Sequence, residues 1–123
     1  MKIAITTSGR DLDAPVDPRF GRAKSFVIYD TDSGKWSVLD NAQNLNAAQG
    51  AGIQAATAVV NANAEAVLTG NCGPKAFRAL SAGKVTVYTG VSGTIREAVE
   101  KFLSGTLPPA AGASVGAHAG MGL

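Results

Sequence analysis

The stretch Leu68-Thr69-Gly70-Asn71-Cys72-Gly73-Pro74-Lys75-Ala76-Phe77 constrains this chain most, because an apolar run (Ala66, Val67, Leu68) passes through a glycine turn straight into a helical pattern. Such a strand-to-helix junction makes a cradle for an anion. Gly70 and Gly73 are expected to allow positive φ and the close approach of a ligand to the backbone. Pro74 suits the first helical position, where its missing N–H costs nothing. The free N–H groups of the first turn then face outward, and the helix end carries roughly half a positive charge. Lys75 adds a whole one. An anion held there gains about 0.3–1 kcal/mol from the dipole, or up to ~2 kcal/mol when partly buried, so one such site alone is weak.

Periodicity organises the rest of the chain around that junction. Lys2 to Thr6 reads as a buried first strand, Ser25 to Asp30 as a second and Trp36 to Leu39 as a third, with Asp32-Ser33-Gly34 as a hairpin turn between the last two. From Asn46 the pattern becomes an alanine-rich helix, with Asn46 as N-cap, Gln49 three residues on, and Ile53, Ala56, Val59 and Val60 on one side. Gly50 and Gly52 weaken its first turn. Ala66 to Leu68 is a fourth strand, Pro74 to Leu80 a second helix, and Val85 to Tyr88 a fifth strand. The third helix is the best marked: Thr94-Ile95-Arg96-Glu97 is a capping box, followed by a stripe of Ile95, Val99 and Phe102 with Leu103 beside it. Two antiparallel strands followed by strand–helix alternation imply an α/β fold, with a mixed five-stranded sheet and helices on both faces. Residues 1–106 form one domain. Beyond Gly105 the chain turns to Pro108-Pro109 and then to alanine, glycine and serine, so residues 107–123 read as a flexible or loosely docked tail.

Composition removes several classes of function. At 46% apolar and 16% charged residues the chain has the makings of a core, and no apolar run approaches a membrane span. The N-terminal run Ile3 to Ile5 is too short for a secretory signal, which makes the cytoplasm the expected location. A formal net charge of +2 is too small for the broad basic footprint of a nucleic-acid binder. The lone Cys72 excludes an internal disulfide and any multi-cysteine zinc or iron–sulfur site within one chain.

In an open α/β sheet, ligands sit outside the carboxyl ends of the parallel strands, which draws three loops together. They are Thr6-Thr7-Ser8-Gly9-Arg10, Thr69 to Lys75, and Thr89-Gly90-Val91-Ser92-Gly93-Thr94. All offer hydroxyls, glycines and amide donors, and a polyanion touched by five or six of them at about 1–1.5 kcal/mol each would reach the ~8 kcal/mol of micromolar binding. The plain alternative is that these glycines merely close short turns. In a further segment, Asp17-Pro18-Arg19-Phe20-Gly21-Arg22-Ala23-Lys24, arginines suit a delocalised anion and Phe20 offers an apolar face to a soft ligand. Its plain alternative is that Arg19 and Arg22 pair at the surface with Asp11, Asp13 or Asp17, where such pairs contribute little.

Cys72, at a helix N-terminus, would have its thiol pKa lowered, so that it could ligate a soft metal or meet an oxidant. The opposing reading is an inert small core residue. His118 in the tail is expected to be simply solvated. A metal-dependent nuclease needs several carboxylates around its ions, and Asp30 and Asp32 have no acidic companions in the loops after the fourth and fifth strands. For a serine hydrolase the sequence offers neither a nucleophile elbow nor a plausibly placed histidine.

The markers Pro18-Arg19-Phe20-Gly21-Arg22, Gly50-Ala51-Gly52, Leu68 to Pro74 and Gly90-Val91-Ser92-Gly93-Thr94 together resemble the dinitrogenase iron–molybdenum cofactor biosynthesis family over roughly residues 1 to 106. The resemblance implies a three-layer, ribonuclease-H-like architecture and a non-catalytic scaffold or carrier for a sulfidic metal cluster. It is nearest to compact members that hold a mixed molybdenum–copper sulfide cluster without covalent attachment. Delivery or acceptor proteins would then be partners, and neither nucleic acid nor membrane would be. Sulfide supplies the metals' own ligands, so the protein needs to provide only charge, N–H donors and apolar contacts, which reconciles metal binding with one cysteine. The expected site has one wall of Arg19, Phe20, Gly21 and Arg22. Its other wall comprises Thr69, Gly70, Asn71, Cys72, Gly73, Pro74 and Lys75 together with Gly90, Ser92 and Gly93. A small phosphate- or nucleotide-binding regulator and a metal-dependent nuclease are the competing readings.

Overall fold

A computed structural model describes residues 1–45 and 50–114 of the chain. Five strands, β1 (Lys2–Thr7), β2 (Ser25–Asp30), β3 (Trp36–Asp40), β4 (Ala64–Leu68) and β5 (Thr86–Tyr88), form one sheet in the order β3-β2-β1-β4-β5. The β1–β2 and β2–β3 pairs are antiparallel, and β1–β4 and β4–β5 are parallel. This is the mixed sheet expected from the strand pattern. The expected hairpin turn is present: Gly34 takes φ 75° and donates its amide to the Asp30 carbonyl at 2.8 Å.

Side-chain alternation along the strands builds two cores, one on each face. Ala4, Phe26, Ile28 and Val67 join Ala55, Ala56 and Val59 of helix α2 (Ala51–Asn61) and Ala76 and Leu80 of helix α3 (Pro74–Ala82). Ile3, Ile5, Val27, Ala66 and Leu68 face the opposite way, onto Ile95, Ala98 and Val99 of helix α4 (Ile95–Leu103). Helices therefore cover both faces. Strand β4 changes face once: Lys2 pairs with Ala64 but Ile3 with Ala66, so the register slips by a residue at Glu65 and leaves that carboxylate exposed.

Thr94 caps α4 as its sequence requires. Its hydroxyl accepts from the Glu97 amide at 3.1 Å, while the Glu97 carboxylate accepts from the Thr94 amide at 2.9 Å. The hydrogen bonds hold that carboxyl below its ordinary pKa. Leu103, placed beside the apolar stripe, is instead 56% exposed at the last turn.

Helix α2 departs from expectation in two ways. It begins at Ala51, after Gly50 in the left-handed region at φ 77°, and the expected cap residues Asn46 and Gln49 lie outside the described residues. Its buried face is Ala51, Ala55, Ala56 and Val59, and Ile53 is 41% exposed. Small residues were preferred inward because α2 lies against α3 closely enough that a Cβ on Gly52 would stand 3.2 Å from the Ala76 Cβ. A short helix, α1 (Ala42–Leu45), precedes it and had no signature in the apolar pattern.

The segment read as flexible or loosely docked is hydrogen-bonded through its first part. Leu107 packs on the α4-side core, the Ala110 amide donates to Val87 O of β5 at 2.8 Å, and the Ser114 amide donates to Cys72 O at 2.7 Å. Edge strand β5 offered open carbonyls, and proline with small residues lets the chain lie along it. Residues 115–123, His118 included, lie outside the described residues. No described helix is long and apolar enough to cross a membrane.

Candidate functional site

The three loops expected to converge do meet at the carboxyl ends of β1, β4 and β5, and residues 15–20 stitch them together. Val16 pairs with Thr7 and donates its amide to Gly93 O at 2.8 Å, and Pro15 bridges to Thr94. The Asp17 amide donates to Thr6 O at 2.8 Å; further on, Arg19 bridges to Asn71 and the Phe20 amide donates to Asn71 O at 3.1 Å. On the other side of the Thr69–Gly70 turn, the Gly90 amide donates to Gly70 O at 2.8 Å and the Val91 amide to Thr69 O at 3.1 Å.

Several hydroxyls proposed as ligand contacts are consumed by this stitching. The Thr6 hydroxyl donates to Asp17 O at 2.7 Å and lies 2.9 Å from the Thr69 hydroxyl, with both residues fully buried. Thr7 donates to Pro15 O at 2.8 Å. Thr69 is therefore a structural residue of the site and presents no hydroxyl to solvent. Phe20 is also corrected: it is 1% exposed, its ring 5.5 Å from that of Phe26 within the α2–α3 core. An aromatic so placed anchors the loop and cannot lie against a ligand at the surface.

What the stitching leaves open is a hollow of about 400 Å³ lined by Gly21, Gly52, Gly73, Pro74, Lys75 and Ala76. It lies on the α2–α3 side, where two helices begin. At α3, Gly73 is an N-cap with extended backbone and no side chain, and Pro74 follows. The first intrahelical bond runs from the Phe77 amide to Gly73 O at 2.9 Å, which leaves the amides of Lys75 and Ala76 without an acceptor in the helix. At α2 the first bond is from Gln54 to Gly50 O at 2.8 Å, so the Gly52 amide stands likewise ahead of the ladder. Two positive helix ends and the Lys75 ammonium thus border one opening, each helix end contributing about 0.3–1 kcal/mol toward an anion.

Glycine is required here for space more than for backbone freedom. A Cβ on Gly21 would stand 3.0 Å from the Gly52 Cα, and one on Gly73 would meet nothing within 4 Å, projecting into open space. Gly70 and Gly73 do not take the positive φ expected of them: Gly73 sits at −69°, and Gly70 is needed because Pro18 lies on its backbone. Gly52 and Ala76 were missed as site members, Ala76 following directly on the Pro74-Lys75 helix start; Gly52 carried a signal of its own. Its signal was the pair of glycines in Gly50-Ala51-Gly52, which a helix start does not otherwise ask for.

The charged wall is only partly as expected. Arg19 is exposed, with Nε 3.8 Å from the carboxylate of the nearly buried Asp17, and Arg22 is exposed on the same loop. Asn71 ties the loop down, its Nδ2 donating to Pro18 O at 3.2 Å. Gly90, Ser92 and Gly93 do not line the hollow. Val91 between them belongs to the α4-side core, Gly93 takes φ 89° with the Glu97 carboxylate against it, and Gly90 takes φ 73°.

Of the two readings of Cys72, the inert core residue holds and the lowered thiol pKa does not. It is fully buried in the α2–α3 core, and desolvation pushes its pKa up to about 11, because removing the anion from water outweighs the favourable helix end. Its amide donates to the Ser114 hydroxyl at 3.1 Å. Asp30 and Asp32, the carboxylates considered for a nuclease, lie at the N-terminal ammonium, 4.0 and 2.9 Å away. Among the described residues no three His, Cys, Asp or Glu side chains gather to hold a metal ion. The donors that border the hollow are backbone amides and the Lys75 ammonium, beside the apolar surface of Pro74 and Ala76.

An uncharacterised protein of Methanocaldococcus jannaschii is 29% identical over 109 residues, 87% of this chain and 89% of that one. The apo form of the orange protein from Desulfovibrio gigas superposes with a TM-score of 0.91 at 43% identity, covering 93% of this chain and 96% of that one. A Thermotoga protein labelled as NifB superposes with a TM-score of 0.81 at 35% identity, covering 94% and 97%. With its residues 1–105 matching the family described as dinitrogenase iron-molybdenum cofactor, the chain belongs to that family.

Proposed function

We propose that this chain is a non-catalytic binding or carrier protein for an anionic metal–sulfide cluster, a mixed molybdenum–copper sulfide held without covalent bonds. The observation that carries the reading is the hollow itself: glycine backbone, Pro74 and Ala76 make a smooth apolar lining, while two helix N-termini and Lys75 supply positive potential. A thiomolybdate-type cluster is large, soft and multiply charged. Its peripheral sulfides would accept from the amides of Gly52, Lys75 and Ala76, and its faces would rest on the glycine floor. Lys75 would balance charge, with Arg19 and Arg22 raising the local potential from the adjoining loop. Likeness at 43% identity to the orange protein of Desulfovibrio gigas, known in an apo form, together with membership of the iron-molybdenum cofactor family, supports the same assignment. A carrier of this kind would exchange its cargo with delivery and acceptor proteins in the cytoplasm.

Reconstitution tests the proposal. Purified apoprotein is titrated anaerobically with tetrathiomolybdate and copper(I), and visible charge-transfer bands are followed through gel filtration. Colour that co-elutes with the protein, and is not displaced by inorganic phosphate or nucleotide, is the expected result. Absence of retained colour overturns the reading, and displacement by millimolar phosphate returns the site to the phosphate-binding alternative.

A further inference from the structure

Charge is sorted over this fold in a way that the hollow alone does not require. Between residues 41 and 83 the sequence holds one carboxylate, Glu65, and two cations, Lys75 and Arg78. Glu65 acts on the N-terminal ammonium at the amino end of the sheet, away from the helix starts that border the hollow. Helices α2 and α3 therefore present no carboxylate, and α3 carries its two cations three residues apart on one exposed strip. The adjoining loop adds exposed Arg19, Arg22 and Lys24, while its one carboxylate, Asp17, is only 8% exposed.

Elsewhere, cations sit with carboxylates. Arg96 Nε is 3.1 Å from Asp13, an Arg10 guanidinium nitrogen 2.7 Å from Asp40, and the N-terminal ammonium 2.9 Å from Asp32. Among the described residues neither Lys75 nor Arg78 has an ion-pair partner. An anionic cargo accounts for Lys75, which lines the hollow, but not for Arg78, which does not. Like charges gathered without counter-charges raise the local potential, and a partner bearing carboxylates lowers it.

The surface beside these cations suits a protein. Ile53, 41% exposed in the first turn of α2, follows Gly52 of the hollow's lining, and Gln54 and Thr57 near it are exposed and uncharged. An exposed apolar side chain with cations at its rim fits a partner that sets an apolar residue among acidic ones. Single-stranded nucleic acid calls for an exposed aromatic on which bases stack, and the exposed Trp36 stands instead at the hairpin end of β3. A membrane surface calls for a whole apolar helix face, whereas α2 shows one large apolar residue outward.

We propose that the outer face of α2 and α3, with the rim of the 17–24 loop, is the docking surface for an acidic protein, whose carboxylates meet Arg78, Lys24 and the loop arginines around Ile53. The role of that partner rests on the reading under Proposed function: seated there it stands over the opening of the hollow, as a protein that gives or takes the cargo must. Each exposed charge pair contributes little, so docking depends on several at once and weakens as salt screens them.

The test uses the full-length apoprotein, isotope-labelled for NMR, and as probe a soluble peptide of glutamate with interspersed leucine. Amide shifts are followed through the titration at low and at physiological salt, for the parent chain, Arg78→Glu and Lys101→Glu. Lys101 lies exposed on α4, so its reversal makes the same change in net charge on the other face. Saturable shifts confined to the first turns of α2 and α3 and to the 17–24 loop are expected. Affinity should fall about fivefold or more on addition of salt and in Arg78→Glu, and stay within about twofold in Lys101→Glu. Arg78 does not line the hollow, so Arg78→Glu should retain the reconstituted cluster as the parent does. Absent or scattered shifts, equal losses in the two variants, or tighter binding of a single-stranded RNA or of phosphatidylserine vesicles overturn the proposal. Loss of cluster retention in a folded Arg78→Glu protein gives that arginine to the cargo and overturns it too. Should the parent chain retain no cluster, the carrier reading falls, and the peptide map alone decides the surface: confined shifts support it, scattered or absent ones remove it.

Discussion

Pro18 lies on the backbone of Gly70: a Cβ at that glycine would stand 2.6 Å from the Pro18 Cα and 2.7 Å from its carbonyl oxygen. No rotamer relieves such a contact, because both partners are main chain. Gly70 is also fixed from the other side by the Gly90 amide, 2.8 Å from its carbonyl. Gly70→Ala is therefore expected to destabilise the protein by about 1–3 kcal/mol, the range for overpacking a tight interior, and to push the 17–22 loop off its seat. Urea unfolding measures the first effect. Loss of cluster retention at temperatures where the variant remains folded measures the second.

Burial of Cys72 makes a pH prediction. The thiol sits near 11 in the fold against an ordinary value of 9.0, so between those pH values the unfolded chain has lost its proton while the folded one keeps it. Stability then falls as pH rises through that window, by an amount on the order of 2 kcal/mol for a two-unit shift, and levels off above it. Cys72→Ala should show no such decline in chemical denaturation measured from pH 8 to 11, whatever its offset from the loss of packing. Since the proposed cargo needs no protein thiolate, Cys72→Ala should also retain the cluster. Loss of colour in a folded Cys72→Ala protein would make the thiol a ligand after all.

The Thr94–Glu97 reciprocal cap holds α4 at the point where Pro15 and Val16 cross it. Thr94→Ala removes the acceptor for the Glu97 amide and is expected to cost about 1 kcal/mol in thermal or urea unfolding. Glu97 itself has its pKa lowered by the hydrogen bonds from Thr94, so its share of the cap is complete above its ordinary carboxylate range and fades as pH falls through the lowered folded value. In Thr94→Ala this acid-limb loss should shrink, which a pH series of melting temperatures would register.

Most of the architecture was legible because it rests on local rules. Alternation marked β1, β2 and β3, Pro74 marked α3, and the Thr94 box marked α4, each stated in a few adjacent residues. What escaped depended on neighbours distant in sequence. Ile53 looked inward by periodicity, yet the close approach of α2 to α3 reserves that side for alanine and glycine. Phe20 and Thr69 carried the right chemistry for a ligand, but the crossing of residues 15–20 over the strand ends spent them on the core and on Thr6. Cys72 turned on the same point, and of its two readings the inert core residue holds. The helix-end field is visible in sequence, whereas the desolvation that overrides it belongs to the assembled core. The loops did gather as the sheet topology required, but the hollow they left is smaller in membership than the set of loops that frame it.

Gly73 and Gly52 separate the roles of space and stability at the site. Gly73→Ala introduces a methyl that touches nothing within 4 Å, at a backbone φ of −69° that any residue accepts, so unfolding free energy should change by less than ~1 kcal/mol. The same methyl projects into the open space above the α3 N-terminus, where a bound sulfide would need to reach the Lys75 and Ala76 amides. Cluster affinity should therefore drop by about tenfold or more, since losing one to two amide contacts removes on the order of 1–2 kcal/mol. Gly52→Ala differs, because its methyl would stand 3.2 Å from the Ala76 Cβ and ask the two helices to part by a few tenths of an ångström. The gain in helix propensity, up to about 1 kcal/mol, offsets that strain, so stability should again move little while the floor of the hollow rises. Parallel denaturation curves and cluster titrations of the two variants provide the check. A Gly73→Ala protein that binds as tightly as the parent would show that the cargo does not enter between these helix ends.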